Sequence, residues 1–270
     1  MTIQIPTIVD YEADQRFKSI ATRLNLNPDS PWVGGYVEYE WEHGRFFFQR
    51  PECEFANASI LEFGCNVGAT AVILAFLGAR VTAIDVDKQI LELAKANAQR
   101  YGVAQDIDFL HVPDTTSLPF DSETFDYVSC NSVLEYVDRR QLPLVQQEIN
   151  RMVKKHGVLF LMGTSNRLWP REIHSKRWFV NYIPSALDNI LYKGKHVERG
   201  VSPWRVLNGF GNYENLDLQD QAAFFLECKR KMGLSADKLL LLKTLQRILS
   251  VVGMSIGLIM PNIFLTLQKR

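Results

Sequence analysis

The feature that most constrains this chain is the run Ser59-Ile60-Leu61-Glu62-Phe63-Gly64-Cys65-Asn66-Val67-Gly68, followed without a break by Ala69-Thr70-Ala71-Val72-Ile73-Leu74-Ala75-Phe76-Leu77. A short apolar run ends in a glycine-bearing turn, and the turn opens into an apolar run of helical length. That is the strand-turn-helix start of a nucleotide-binding α/β unit. Gly64 lets the backbone pass close to a ligand, and Gly68 lets the helix pack against the strand. The first amides of the helix have no intrahelical acceptor and suit a carboxylate or phosphate.

Downstream, strand and helix signals alternate. Strands are predicted at 59–63, 80–84, 107–112, 125–130 and, after Gly157, 158–162. Helices are predicted at about 67–77, 88–101 and 142–155. In the second of these, Ile90, Ala94 and Ala98 share a face that Leu91 and Leu93 widen. Such alternation implies an α/β fold, a doubly wound parallel sheet with helices on both faces. Open sheets of this kind bind ligands beyond the carboxyl ends of their strands. Those ends carry Glu62 and Gly64, then Asp85 and Asp87, Asp114 and Thr115, Cys130 and Asn131, and finally Thr164 to Asn166. Asp85, closing the second strand, is placed to accept hydrogen bonds from both hydroxyls of a ribose, which fits any adenosine-containing cofactor. A nicotinamide fingerprint G-x-G-x-x-G starting at Gly64 needs glycine where Asn66 and Ala69 stand, so an oxidoreductase is the weaker alternative.

In this order the motifs resemble those of the class I S-adenosylmethionine-dependent methyltransferases, over about residues 61–166. The resemblance rests on Glu62-Phe63-Gly64-Cys65-Asn66-Val67-Gly68, Val81-Thr82-Ala83-Ile84-Asp85-Val86-Asp87, Asp114-Thr115-Thr116-Ser117-Leu118-Pro119-Phe120, and Phe125-Asp126-Tyr127-Val128 with Ser132-Val133-Leu134-Glu135-Tyr136-Val137. It implies a Rossmann-like sheet, mostly parallel with an antiparallel last strand at 261–268. It also implies S-adenosyl-L-methionine as cofactor and S-adenosyl-L-homocysteine as product. The turn of Gly64, Cys65, Asn66 and Gly68 then receives the methionine part, with Glu62 steadying the turn or its ligand. Asp85 and Val86 meet the ribose side, Asp114 and Thr115 the adenine, and Cys130 and Asn131 the cofactor amino group. Asn66 replaces the family's middle glycine, and asparagine is the non-glycine residue most tolerant of positive φ. Tyr136 stands where many relatives carry a histidine.

Around this core, from 55 to 166, the chain divides into an N-terminal helical and aromatic flap (1–54), an inserted substrate cap (167–233), and a C-terminal helix with the closing strand (234–270). The flap holds a helical stretch near 11–24 and the aromatic run Trp32 to Trp41. That run either covers a ligand or packs on the sheet. The cap opens with Ser165-Asn166-Arg167-Leu168-Trp169-Pro170-Arg171-Glu172-Ile173-His174, which resembles the substrate-side loop of small-molecule and quinone-ring methyltransferases. Further helices are predicted at about 218–232 and 237–249.

The methyl donor is already activated, so the protein's main task is to hold a nucleophile in line within a dry pocket. A base is needed only where the acceptor must lose a proton. His174 is the catalytic candidate, against a purely local role in shaping its loop. His43 is a second histidine that either reaches the cleft or is solvated. Glu135 either binds ligand or caps structure. Trp169, Trp178, Tyr182 and Trp204 either stack on a flat substrate or form the cap's own core. Arg171, Lys176, Arg177 and Arg205 either meet a carboxylate or are scattered surface charge. Cys65 and Cys130 lie beside the cofactor by position, with no base to activate them.

The implied function is methyl transfer by in-line displacement to a small molecule, which the apolar last third suggests is hydrophobic. The O-, N- or C-acceptor is left open, and a non-catalytic binding scaffold is the alternative outside enzymology. The 30 basic and 30 acidic residues create no net field. With neither a basic stripe nor an Asn-Pro-Pro-aromatic motif, nucleic acid is not an expected partner. Four cysteines without metal-ligand spacing, and an N-terminus without signal-peptide character, point to no metal and to a cytoplasmic protein. Residues 248–267 carry no charge and are long enough to cross a bilayer, but Gly253, Gly257 and Pro261-Asn262 interrupt them, so a buried strand with a turn is expected over an anchor. The sequence is silent on oligomeric state.

Overall fold

The structure is a computed structural model that describes residues 5–193 and 197–270. Residues 1–4 of the flap and 194–196 of the cap span lie outside the described residues. The chain opens with α1 (Tyr11–Arg23), started by Asp10, whose carboxylate accepts the Ala13 N–H. The aromatic run is helical: α2 (Tyr36–Tyr39), a π-helical turn (Glu40–Gly44) and α3 (Arg45–Phe48) follow one another directly. Then come β1 (Ser59–Phe63), α4 (Ala69–Phe76), β2 (Arg80–Asp85), α5 (Lys88–Arg100), β3 (Ile107–His111), β4 (Phe125–Asn131), α6 (Leu142–Met152) and β5 (Val153–Ser165). The remainder comprises α7 (Asp188–Leu191), α8 (Pro203–Asn208), β6 (Tyr213–Asn215), α9 (Leu216–Gln219), α10 (Ala223–Lys231), α11 (Ala236–Val251) and β7 (Asn262–Lys269).

The seven strands form one sheet in the order β3-β2-β1-β4-β5-β7-β6. The first five strands in sequence are mutually parallel, and β7 runs antiparallel to both β5 and β6. The chain winds outward from β1 toward β3 and then returns to place β4 on β1's other side. The strand order therefore reverses between β1 and β4, which is where an open sheet leaves its ligand crevice. Alternate residues feed two cores. Ile60, Val81, Ala83 and Phe160 belong to one buried cluster and Leu61, Phe63, Val128 and Leu161 to the other, as the two-residue period of strands requires.

Several boundaries differ from the sequence expectation. Helix α6 stops at Met152 instead of near 155, because Val153 is already extended and pairs with Phe125. The polar run Lys154-Lys155-His156 thus belongs to β5, with a register shift opposite it between Phe125 and Tyr127 and a positive φ of 64° at His156. Strand β6, which the sequence reading does not contain, lies in the span assigned to the cap and closes the sheet beyond β7. The helix predicted at 218–232 is two, α9 and α10, broken where Gln221 and Ala222 take φ of 53° and 58°. Residues 248–267 resolve into the end of α11, a short 3-10 turn (Ile256–Leu258) and most of β7. No helix among the described residues is long and apolar enough to cross a membrane.

Two buried arginines tie the flanks to the core. Arg100 on α5 donates to Asp14 at 3.1 Å, to Asn97 at 2.8 Å and to the Gly34 carbonyl at 2.6 Å, and its guanidinium lies over the Phe17 ring. Arg50 donates to Asp217 at 2.7 Å and Asp220 at 2.8 Å, joining the end of the N-terminal segment to α9. Buried guanidinium groups need this many partners to offset their lost hydration. The result is that the aromatic helices are clamped over the carboxyl ends of the strands.

Candidate active site

The turn after β1 holds three residues at positive φ: Gly64 at 77°, Asn66 at 49° and Gly68 at 76°. Asn66 thus adopts the left-handed conformation for which asparagine is the least costly substitute for glycine. The turn is pinned from β2, since the amides of Gly64 and Cys65 both donate to the Ile84 carbonyl at 2.9 Å and the Asn66 amide donates to Asp85 at 2.9 Å. A Cβ on Gly64 would lie 2.6 Å from Val133, so the loops after β1 and β4 touch there. Gly68 starts α4, and its nearest neighbour is Ala94 of α5 rather than the strand named in the sequence expectation.

In front of this turn lies a cavity of about 670 Å³. Glu62, Gly64, Cys65, Asn66 and Thr70 form its floor. Asn131, Ser132 and Tyr136 bound it on the β4 side, and Ile173, His174 and Lys176 on the side of the loop after β5. Its roof is the aromatic segment, through Trp32, Tyr36, Tyr39, Glu40, His43 and Phe47, with Phe264 of β7 completing the apolar wall. The aromatic run therefore covers the crevice, and it also packs on the core through Val37 and Trp41. Those lining residues recur every three or four positions. This was the available signal that the run is one helical face, and it is the signal that would have brought Glu40 into the site.

Glu40 is the functional residue the sequence reading missed. Its carboxylate is buried, accepts from Asn131 Nδ2 at 3.4 Å, and occupies space that a side chain on Gly44 would fill. Burial pushes its pKa up to about 7. Glu62 beside it is raised well above the usual carboxylate range, first by burial and then by the charge of Glu40. One Glu62 oxygen, Oε2, is buried with no hydrogen-bond partner in the described residues. Asn131 links Glu40 to α4, donating also to Thr70 Oγ1 at 3.2 Å. Two desolvated carboxylates lining one cavity, one with an orphaned oxygen, suit a cationic group such as an ammonium.

The other strand ends are distributed unevenly. Asp85 Oδ2 accepts the Asn66 amide and Oδ1 the Asp87 amide at 3.0 Å, leaving further lone pairs on each oxygen for hydroxyl donors. Asp87 itself caps α5 by accepting from Gln89 at 2.7 Å. Val86 is 55% exposed, an aliphatic surface open to a flat ligand. Asp114 is exposed and held below the usual carboxylate range by the Thr116 hydroxyl and amide. Asp85, Val86, Asp114 and Thr115 lie outside the cavity lining, as do Gly68 and Cys130. Cys130 is fully buried within β4 with its thiol raised by burial, and of the two only its neighbour Asn131 lines the cavity. The Cys65 thiol is likewise raised, by burial and then Glu62, and all four cysteines are free. Neither Cys65 nor Cys130 is poised as a nucleophile.

On the opposite wall, the loop after β5 is built around Glu172. This buried carboxylate accepts from the Ser165 hydroxyl at 3.0 Å and from the amides of His174 and Ser175, which hold it below the usual range against the effect of burial. The bend presents His174 to Glu135. His174 Nε2 lies 3.2 Å from Glu135 Oε1, which also accepts the Ser165 amide at 3.1 Å, while Nδ1 lies 3.4 Å from the Tyr136 hydroxyl. Glu135 thus ties structure together, as one of the two sequence alternatives has it, and holds His174, a contact the sequence did not suggest. The hydrogen bond to Glu135 raises the His174 pKa, and burial raises that of Tyr136, which stays a phenol. Because a carboxylate can only accept, Nε2 carries the proton and Nδ1 holds the free lone pair.

The remaining candidates separate cleanly. His43 lines the cavity, stacked on Tyr39 with Nδ1 2.9 Å from that residue's carbonyl. Of the four cations, only Lys176 is in the lining. Trp169, Trp178, Tyr182 and Trp204 are neither in the lining nor in a buried cap core. Trp178 and Trp204 are 59% and 53% exposed, and the Trp169 indole donates to the Ile259 carbonyl. Among the described residues no three His, Cys, Asp or Glu side chains group as a metal site.

Comparison with known proteins agrees with this geometry. Residues 61–161 match the Methyltransferase domain family. The chain is similar to the ubiquinone biosynthesis O-methyltransferase of Haemophilus ducreyi, 32% identical over 184 residues, covering 64% of this chain and 67% of the relative. It is also similar to the ribosomal protein L11 methyltransferase of Shewanella halifaxensis, 33% identical over 111 residues. That match covers 41% of this chain and spans only 35% of the relative's length. Among solved structures, an S-adenosylmethionine-dependent methyltransferase from Mesorhizobium loti superposes with a TM-score of 0.50 at 15% identity, covering 80% of this chain and 93% of that one. The [4+2]-cyclase SpnF superposes with a TM-score of 0.51 at 15% identity, covering 95% and 96%. The two differ in the chemistry their names state, so these likenesses speak to fold alone.

Proposed function

The chain belongs to the class I S-adenosylmethionine-dependent methyltransferases, and from that premise we propose that it transfers a methyl group to a hydroxyl of a small, largely apolar acceptor of phenolic type. When bound, S-adenosylmethionine supplies a sulfonium methyl that needs no further activation. The features of this chain fit that group. The orphaned Glu62 oxygen and the carboxylate of Glu40 suit an ammonium, Asp85 has lone pairs left for ribose hydroxyls, and the turn residues Gly64 and Asn66 line the cavity. Val86 offers an apolar surface to the base, and Asp114 and Thr115 follow the next strand, β3.

The observation that carries the acceptor class is the pair His174 and Tyr136 facing the turn across one cavity, with Glu135 buried behind the imidazole. An amine acceptor attacks with its own lone pair, whereas a phenol gains nucleophilicity by losing its proton. Glu135 orients the imidazole and stabilises its protonated form. Nδ1 accepts the proton, with Tyr136 in hydrogen-bonding reach of the same nitrogen. The aromatic roof excludes water and gives a flat ring something to pack on. The name of the ubiquinone relative, an O-methyltransferase, supports the same reading.

Two measurements test it in sequence. S-adenosylhomocysteine at about a hundredfold over its dissociation constant raises the unfolding free energy by roughly 2.7 kcal/mol, seen as a thermal shift. Then methyl-labelled cofactor is incubated with matched phenols, anilines and thiols. Label transferred to the phenols alone supports the proposal, and a preference for amines or an absence of transfer overturns it.

A further inference from the structure

We propose that the outward face of α11 docks on an anionic lipid surface. The helix packs on the core through Leu242, Leu245 and Leu249. Its other side is strongly apolar and bare: Leu240, Leu241, Ile248 and Val251 are 59–85% exposed, and Val252 continues the stripe at 67%. At 100° per residue these positions fall within one arc. Lys243 and Arg247, both exposed, border that arc on one side, and the exposed Thr244 and the first-turn Asp237 are the polar side chains within it. No ion pair engages Lys243 or Arg247 among the described residues.

An apolar stripe edged by unpaired cations is the pattern of a helix lying in the plane of a membrane interface. The aliphatic side chains enter the acyl boundary and the long basic side chains reach back to the headgroups. The helix does not meet the requirements for crossing a bilayer, so it lies on the surface. Charge also selects this occupant over a second copy of the chain. Paired with itself in antiparallel fashion, α11 would set Lys243 against Arg247, placing like charges beside the apolar contact. An anionic headgroup layer neutralises them instead. The location has a consequence for access. Met232, at the end of α10, lines the cavity, and α11 follows it after a short link, so the docked helix adjoins the cavity wall. The proposal concerns a surface and does not depend on methyl transfer.

The test is co-sedimentation of the full chain with phosphatidylcholine vesicles, with and without phosphatidylglycerol, at low and high salt. The chain is expected to sediment with the anionic vesicles and to lose binding as salt rises. Ile248→Asp with Val251→Asp abolishes it while leaving the thermal transition in place, since both residues are exposed. Lys243→Gln and Arg247→Gln each lower partitioning by roughly fivefold. Absence of sedimentation with anionic vesicles, or equal sedimentation of the wild type and the double aspartate variant, overturns the proposal. So does a dimer in light scattering that the same double substitution dissociates, which would assign the face to a second copy.

Discussion

Glu135, buried behind the cavity wall, and His174 meet at 3.2 Å although one follows β4 and the other follows β5, with Tyr136 on the far side of the imidazole. The contact depends on the buried Glu172, which bends the intervening loop back toward β4. It converts an isolated histidine into one whose orientation and basicity are both set by a carboxylate.

His174→Ala is expected to lower kcat for a phenolic acceptor by roughly 10²–10⁴-fold while leaving S-adenosylhomocysteine affinity unchanged. In Glu135→Gln the His174 pKa falls, so the acid limb of the kcat profile moves to lower pH. The raised pKa also has a stability signature. The pair's contribution is complete below the unfolded histidine value of 6.5 and is lost as pH rises through the higher folded value. A pH–rate profile alongside urea unfolding at several pH values reads both effects.

Glu40 yields a prediction of opposite sign for ligand-free and ligand-bound protein. Its folded pKa of about 7 lies above the ordinary 4.5, so the stability it contributes is present below pH 4.5 and lost as pH rises through 7. Glu40→Gln is therefore expected to stabilise the ligand-free protein at pH 8, by roughly 1–3 kcal/mol. The same substitution weakens S-adenosylhomocysteine binding by roughly 1.5–3 kcal/mol and removes the proton release that accompanies it near pH 7. Calorimetric titration in buffers of different ionisation enthalpy measures both quantities.

In the turn, Gly64→Ala forces a Cβ to within 2.6 Å of Val133 at a φ of 77°, with a cost of roughly 1–3 kcal/mol. Asn66→Gly is expected to be close to neutral, because glycine also accepts the positive φ. Chemical denaturation of the two variants distinguishes a clash from a conformational requirement.

Arg50→Met removes the cation from Asp217 and Asp220 and is expected to cost roughly 3–5 kcal/mol at pH 8. Burial already pushes Asp217 up to about 6, against the pull of Arg50. Stability tied to its acid form is present below the ordinary 3.8 and lost as pH rises through 6, so the penalty of the variant shrinks by pH 5. Urea midpoints at the two pH values provide the comparison.

The legible part of the site was the part written in contiguous residues. The turn at Gly64, the tolerance of Asn66 and the strand-end position of Asp85 all follow from local spacing. Glu40 was half legible: the three- or four-residue spacing of the aromatic run marks its helical face, but that the face folds back over β1 and β4 is marked by nothing near it in sequence. Trp178 and Trp204 mislead for the same reason, since their composition suits a ligand wall but the path of the loop leaves them outside. Strand β6 escaped because three residues carry too little periodicity, and its identity as a strand comes from pairing with β7.

By itself, the sequence determined the alternating α/β core and the glycine-bearing turn. Backbone sterics and hydrophobic period act over a few residues and leave their mark directly in the chain. Only the tertiary structure decided which segments roof the crevice, that Glu40 joins Glu62, and that Glu135 orients His174. Those relations arise from burial of distant segments against one another, where desolvation, not local pattern, sets both position and charge.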